Sequence, residues 1–208
     1  MAEPALFVRR ADPDDIDTIN ALYDRIYGDE FLEALAVFHA ADRGYLKKPE
    51  LRQKFLLSLM ETSFMSVTVE DEQGNITGFA VLDDTPLHLS VAEDGGTDWE
   101  TWFQDTFQLP DVDSANSLWF STCLVEPDSG SIAEILRTTF STMPELQHLL
   151  VFVPSSIMED AALKVLEPFQ SHFGQLDMET EELMPMTHWA APSPEGHPPM
   201  VLCCNRTQ

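Results

Sequence analysis

Ser117-Leu-Trp-Phe-Ser-Thr-Cys-Leu-Val-Glu-Pro-Asp-Ser-Gly-Ser-Ile-Ala-Glu-Ile-Leu136 decides the fold. Ser117 to Val125 is the clearest candidate for a central strand. A polar break with a single glycine, Gly130, follows, and the spacing of apolar residues then predicts a helix over Ile132 to Met143. His148 to Val153 reads as a second apolar strand, nearly devoid of charge, as the interior of a parallel sheet requires.

Upstream, Ala5 to Arg9 predicts a strand that runs into a helix. Asp12 suits the N-cap and Pro13 the first turn, where Asp14 and Asp15 meet the positive end of the helix; Ile16, Ile19, Leu22, Tyr23 and Ile26 recur at helical spacing up to Gly28. Residues 31–41 and 49–61 predict two further helices. The period then changes to that of paired strands, Phe64 to Glu70 and Ile76 to Leu82, joined by the turn Asp71-Glu-Gln-Gly-Asn75. Residues 86–96 read as a loop, and Asp98 as the cap of a short helix carrying Trp99, Trp102, Phe103 and Phe107.

Downstream, Met158 to Phe173 is helical in pattern with a break at Pro168, Gln175 to Met178 predicts an edge strand, and Val201 to Cys204 a last short strand. Residues 185–199 form a Pro-rich loop. The order β, helices, β hairpin, insertion, β, α, β, α, β predicts one α/β (α+β) domain over residues 1–208: three layers, with a mixed central sheet flanked by helices. The chain stops on an apolar run followed by Arg206-Thr207-Gln208, and the expectation is that it is the N-terminal part of something longer.

Thirty-six acids against eleven bases give a formal net charge of -25, which argues against nucleic-acid binding because a phosphate backbone would be repelled. No Lys or Arg occurs between Lys54 and Arg137, so this stretch is either a solvated acidic face or a docking face for a basic partner. Cys123, Cys203 and Cys204 cannot all pair within the chain, which points to a reducing, cytoplasmic compartment. No apolar run approaches the roughly 20 residues that cross a bilayer as a helix, so no membrane partner is expected.

The element order, the opening Val8-Arg-Arg-Ala-Asp-Pro-Asp-Asp15 and the strand-turn-helix Cys123 to Leu136 resemble the acetyltransferase superfamily that uses acetyl-coenzyme A, and imply a GNAT-like fold. In that superfamily the turn cradles the cofactor pyrophosphate, with a Gln or Arg followed by spaced glycines. Here Asp128 stands near the Gln or Arg position, the loop is about two residues short and Gly130 is the only glycine, so Val125, Asp128, Ser129, Gly130 and Ser131 read as a degenerate turn. A carboxylate beside a diphosphate is unfavourable. The expectation is therefore a degenerate acetyltransferase-like domain, not an enzyme, with no cofactor.

A second resemblance is closer. Asp98-Trp99 to Phe107, Asn116 to Phe120, Glu134-Ile-Leu-Arg137, Met143 to His148 and Val151-Phe-Val-Pro-Ser155 are similar to the N-terminal domain of a family of large cilia- and flagella-associated proteins. That family belongs to the calmodulin- and spoke-associated complex at the radial spoke base. It implies a structural, protein-interaction role in the axoneme of cilia or flagella. The implied partners are other subunits of that complex, calmodulin within it and radial spoke proteins, and Trp99, Trp102 and Trp189 are the interaction candidates.

The alternative is an acetyl-coenzyme A-dependent N-acetyltransferase acting on a basic peptide or amine, or a domain that binds an acyl-coenzyme A without transfer. Such an enzyme needs a general base, and Glu70, Asp83 and Glu126 are the carboxylates on offer, each also readable as an ordinary surface acid. The last tyrosine is Tyr45, so none follows to protonate a leaving thiolate. Cys123 lacks a nearby cation, and a Cys-His pair would require His148 or His172 to approach. No metal is expected: Cys203 and Cys204 point to opposite faces of a strand, His188 and His197 lie in the Pro-rich loop, and the acids between Asp105 and Asp113 lack a calcium-loop pattern.

Overall fold

The apolar run at the centre of the chain forms strand β4, Ser117–Val125, with every side chain buried except the half-buried Cys123. The computed structural model describes residues 5–27, 48–86, 99–126, 129–153, 169–173 and 200–206. The chain divides into two units, Met1–Asp83 with Phe120–Pro144, and Asp84–Trp119 with Glu145–Gln208.

The first unit contains β1 (Phe7–Arg10), a 3-10 turn (Pro13–Asp15), α1 (Ile16–Tyr27), α2 (Pro49–Thr62), β2 (Met65–Glu70), β3 (Ile76–Asp83), the second part of β4, and α4 (Ser131–Thr142). Its strand order is β1-β2-β3-β4, with β1 and β3 antiparallel to β2. Asp12 and Pro13 open the 3-10 turn that leads into α1: Asp12 Oδ1 accepts the Asp14 N–H (2.9 Å) and Asp15 Oδ2 accepts the Asp12 N–H (2.8 Å). The hairpin turn is held by Asp71, whose Oδ1 accepts from the N–H groups of Gln73 (2.9 Å) and Asn75 (2.8 Å).

β2 and β3 are buried along nearly their whole length, because helices cover both sides. Phe79 and Val81 face Ile19, Leu22 and Tyr23 of α1 and Leu56, Leu59 and Met60 of α2. Gly78, one residue out of phase with Phe79, faces the start of α4. Between α1 and α2 lies a buried guanidinium: Arg52 stacks 4.2 Å over the Tyr23 ring, donates to Asp24 Oδ1 (2.6 Å) and bonds Asn20. Burial pushes the Tyr23 hydroxyl up to about 12.

The second unit holds α3 (Trp99–Phe107), the first residues of β4, β5 (His148–Val153), β6 (Gln170–Phe173) and β7 (Met200–Asn205), in the strand order β4-β5-β7-β6. β4 and β5 are parallel, and both β5 and β6 run antiparallel to β7. Phe103 and Phe107 of α3 pack on Trp119, Leu150 and Cys203. Gln170 to Phe173 corrects the helix expected to run to Phe173: pairing with Met200 to Cys203 outweighs the local helical spacing. The helix expected over 31–41, the edge strand over 175–178 and the Pro-rich loop over 185–199 lie outside the described residues.

Candidate functional site

Beyond the buried Val125 the chain turns at once, and backbone groups build the turn. The Glu126 N–H donates to the Thr77 carbonyl (2.9 Å), pinning the turn to β3. The Ser129 N–H (3.3 Å) and hydroxyl (2.7 Å) both donate to the Glu126 carbonyl. Gly130 then takes φ 76°, ψ -1°, a left-handed conformation that glycine adopts without the steric cost a side chain brings, and stands as N-cap of α4. Ser131 is buried; its Oγ lies 2.9 Å from Thr77 Oγ1 and 2.8 Å from Ser129 Oγ, and its N–H donates to Ser129 Oγ (3.2 Å).

A helix leaves its first N–H groups without intrahelical acceptors. The Glu134 N–H reaches the Gly130 carbonyl (3.2 Å), while among the described residues nothing accepts from the N–H groups of Ile132 and Ala133. Two amides stand at the positive end of a three-turn helix, behind a left-handed glycine, and such amides are donors of the kind that suit phosphate oxygens. Asp128 lies outside the described residues.

The three carboxylates that could act as bases differ in their partners. Glu70 is paired with Arg9 (2.6 Å), which also forks onto Asp15 at 2.7 Å from each nitrogen. These bonds raise the Arg9 guanidinium and hold the Asp15 carboxyl below its usual range. Glu126 is paired with Arg25 of α1 (2.6 Å), which also donates to the Ile76 carbonyl (3.1 Å). Asp83 meets no cation among the described residues: its Oδ1 accepts from the Phe64 N–H (3.0 Å) and its Oδ2 from the Ser121 hydroxyl (2.6 Å). Sequence reasoning missed Arg25, Thr77 and Gly78, since each reaches the turn only through the fold. The one local signal was a basic residue in the last turn of α1.

All three cysteines are free thiols, and burial pushes those of Cys123 and Cys203 up to about 12 and that of Cys204 upward, so none is an activated nucleophile. His148 approaches Cys203, not Cys123, with Nδ1 3.8 Å from Sγ. His172 lies on β6, and His188 and His197 lie outside the described residues. Among the described residues no three His, Cys, Asp or Glu side chains gather as a metal site, and no helix is long and apolar enough to cross a membrane. Asp113 spends its Oδ1 on the N–H groups of Ala115 (2.9 Å) and Asn116 (3.0 Å). Trp99 is half-buried, edge-on to Trp119 at 5.6 Å between ring centroids. Trp102 is on α3, its side chain undescribed, and Trp189 lies outside the described residues.

Comparison with known families places residues 7–207 on the model of cilia- and flagella-associated protein 61, N-terminal domain. The chain belongs to this family. The cilia- and flagella-associated protein 61 of Tetrahymena thermophila is 29% identical over 119 residues, 50% of this chain and 7% of that protein. The chain thus spans a small part of the relative it matches. Membership in a cilia- and flagella-associated family agrees with the ciliary and flagellar, axonemal, cytoskeletal localisation expected from the sequence.

Solved structures agree on the fold. Spermidine N-acetyltransferase from Vibrio cholerae, in complex with CoA and spermine, aligns with a TM-score of 0.50 at 12% identity, over 97% of this chain and 96% of that one. AAC(6')-Ib in complex with ribostamycin and coenzyme A aligns with a TM-score of 0.52 at 13% identity, over 98% and 94%. The fold is that of the GNAT acetyltransferases, a mixed sheet flanked by helices. This finding corrects the expectation of a degenerate, non-enzymatic domain: the neighbours are acetyltransferases whose structures hold the coenzyme. The physical reason for the misreading is that the turn offers backbone N–H groups, and these survive the loss of the pattern's side chains and glycines.

Proposed function

We propose that this domain, within a longer ciliary protein, binds acetyl-coenzyme A at the turn after β4 and transfers the acetyl group to a basic amine. The observation that carries the reading is the start of α4, where Gly130 is left-handed and the Ile132 and Ala133 amides are open. A diphosphate can be held at such a site through its oxygens, because the donors are main-chain groups. The cofactor supplies the thioester. The chain's own part is to hold the diphosphate and to receive the proton of the amine. Glu70 and Glu126 are each committed to an arginine, so Asp83 is the carboxylate suited to that task, positioned by Ser121. A net charge of -25 favours approach of a cationic acceptor, such as a basic peptide or a polyamine.

The partners that fit the family are subunits of the calmodulin- and spoke-associated complex, calmodulin within it and radial spoke proteins. A basic segment of such a neighbour is a suitable acceptor. Calorimetric titration of the folded protein with acetyl-coenzyme A at physiological salt tests the reading. Micromolar binding supports it. Absence of heat up to millimolar ligand, with an unchanged melting temperature, overturns it.

A further inference from the structure

We propose that Phe64 and Asp83 together hold the ammonium group of an unbranched primary amine, such as a lysine side chain of a basic peptide or one arm of a polyamine. The inference rests on the acceptor reading above and adds Phe64 as the residue that selects the cation.

The sheet sets the two side chains against each other. β2 and β3 pair antiparallel, with Met65 opposite Leu82 and Ser66 opposite Val81, and the same register carried one step further sets Phe64 opposite Asp83. The Phe64 N–H closes that step by donating to Asp83 Oδ1 (3.0 Å). Residues opposite each other in an antiparallel pair project to the same face, with Cβ atoms about 4.5–5.5 Å apart. A cation held by a ring lies within about 6 Å of its centroid, so one ammonium reaches both groups.

Both groups are available to a ligand. Phe64 is 58% exposed, and a phenyl ring left in water forgoes the stabilisation that burial brings. Asp83 meets no cation among the described residues, and its oxygens each take one neutral donor, the Phe64 N–H and the hydroxyl of the buried Ser121 (2.6 Å). A carboxylate accepts about four hydrogen bonds, so acceptor positions remain on an anion already fixed in direction. The form of the cation follows from the chemistry. A net charge of -25 draws cations in general. An ammonium becomes a nucleophile once it gives up a proton, whereas a guanidinium stays protonated and cannot serve as an acceptor.

The test titrates hexylammonium, its neutral counterpart hexan-1-ol and hexylguanidinium into wild type, F64L, F64W, D83N and E145Q, each checked by melting temperature. The Phe64 amide signal in heteronuclear NMR spectra reports the site, since that N–H is bonded to Asp83. Hexylammonium is expected to shift it in wild type and hexan-1-ol to leave it in place. F64L weakens hexylammonium roughly two- to fivefold, the scale of a cation–π contact at an exposed site, and F64W tightens it. D83N weakens it roughly tenfold, the scale of a lost hydrogen bond to a charged group. E145Q, which removes an exposed carboxylate in the second unit, leaves it unchanged.

A Phe64 amide that hexylammonium does not move, or equal affinity in F64L and wild type, overturns the inference. Tighter binding of hexylguanidinium than of hexylammonium overturns the choice of a primary amine. If F64L does not fold, F64W decides: binding no tighter than wild type overturns the role of the ring. The acetyl-coenzyme A titration judges the underlying reading separately. Hexylammonium bound at Phe64 without any binding of acetyl-coenzyme A overturns the transfer reaction and keeps the cation site, and the reverse result overturns the cation site alone.

Discussion

Gly78 of β3 and Ser131 of α4 approach so closely that a Cβ on Gly78 would stand 2.9 Å from the Ser131 Cβ. The same Cβ would lie 3.1 Å from Val69 Cγ2, so it has no open side to move toward. Gly78→Ala therefore forces α4 off the sheet, at a cost of about 1–3 kcal/mol, the range for overpacking a filled core. Thermal or urea unfolding measures it. Removing the opposing Cβ with Ser131→Gly in the same chain recovers part of the loss, whereas Ser131→Ala, which keeps that Cβ, does not. An unchanged midpoint in Gly78→Ala contradicts the close seating of α4.

Gly130 makes a separate demand, on backbone conformation and not on space, since a Cβ there would touch only Leu6 Cδ1 at 3.6 Å. Its φ of 76° costs an ordinary L-residue about 1–2 kcal/mol. Gly130→Ala is expected to lose that much stability, and Gly130→Asn less, because asparagine tolerates the left-handed region. Both turn the Ile132 and Ala133 amides from their present direction, so acetyl-coenzyme A affinity should fall in the same order, as calorimetry can show.

These two glycines mark the boundary of what the sequence discloses. Features set by neighbouring residues were legible: Asp12 and Pro13 opening the first helix, the Asp71 to Asn75 turn, and the uncharged runs Ser117–Val125 and His148–Val153, which the structure reproduces as strands. Features set by distant partners were not. Residues 170–173 have a helical pattern, yet β7 draws them into the sheet. Gly78 reads as an ordinary break in a strand until Ser131 is set against it. The turn after Val125 is built from main-chain groups, which no residue pattern displays, and Arg25 reaches Glu126 there from α1.

Acid stability should depend on Asp15. Hydrogen bonds from Arg9 hold its carboxyl below the ordinary value of 3.8, so the unfolded chain takes up a proton there more readily than the native one. The stabilisation is fully present above about pH 4 and is lost as pH falls through the lower native value. Arg9 is more than a third exposed, so water screens the pair and about 1 kcal/mol is the expected scale. Asp15→Asn should therefore be less stable than wild type at pH 7, with the gap closing near pH 2–3. Urea unfolding at the two pH values checks this, and a gap that stays constant would show that Asp15 acts only through capping.

Asp83 separates binding from chemistry. It lies at the end of β3 with a backbone N–H on one oxygen and the Ser121 hydroxyl on the other, and no part of it belongs to the turn proposed to receive the diphosphate. Asp83→Asn keeps the size and the acceptor oxygen but removes the proton-accepting charge. Its acetyl-coenzyme A affinity should equal that of wild type, while turnover with a polyamine or basic peptide falls by about 10²–10⁴, the usual worth of a general base. Ser121→Ala, which only frees one carboxylate oxygen, should cost far less, and Glu70→Gln, whose partner is Arg9, should leave turnover near wild type. The ratio of turnover to affinity across the three variants is the deciding quantity. A loss in Glu70→Gln as deep as in Asp83→Asn would move the base to β2, and equal weakening of cofactor binding by Asp83→Asn would make Asp83 a structural residue of the sheet.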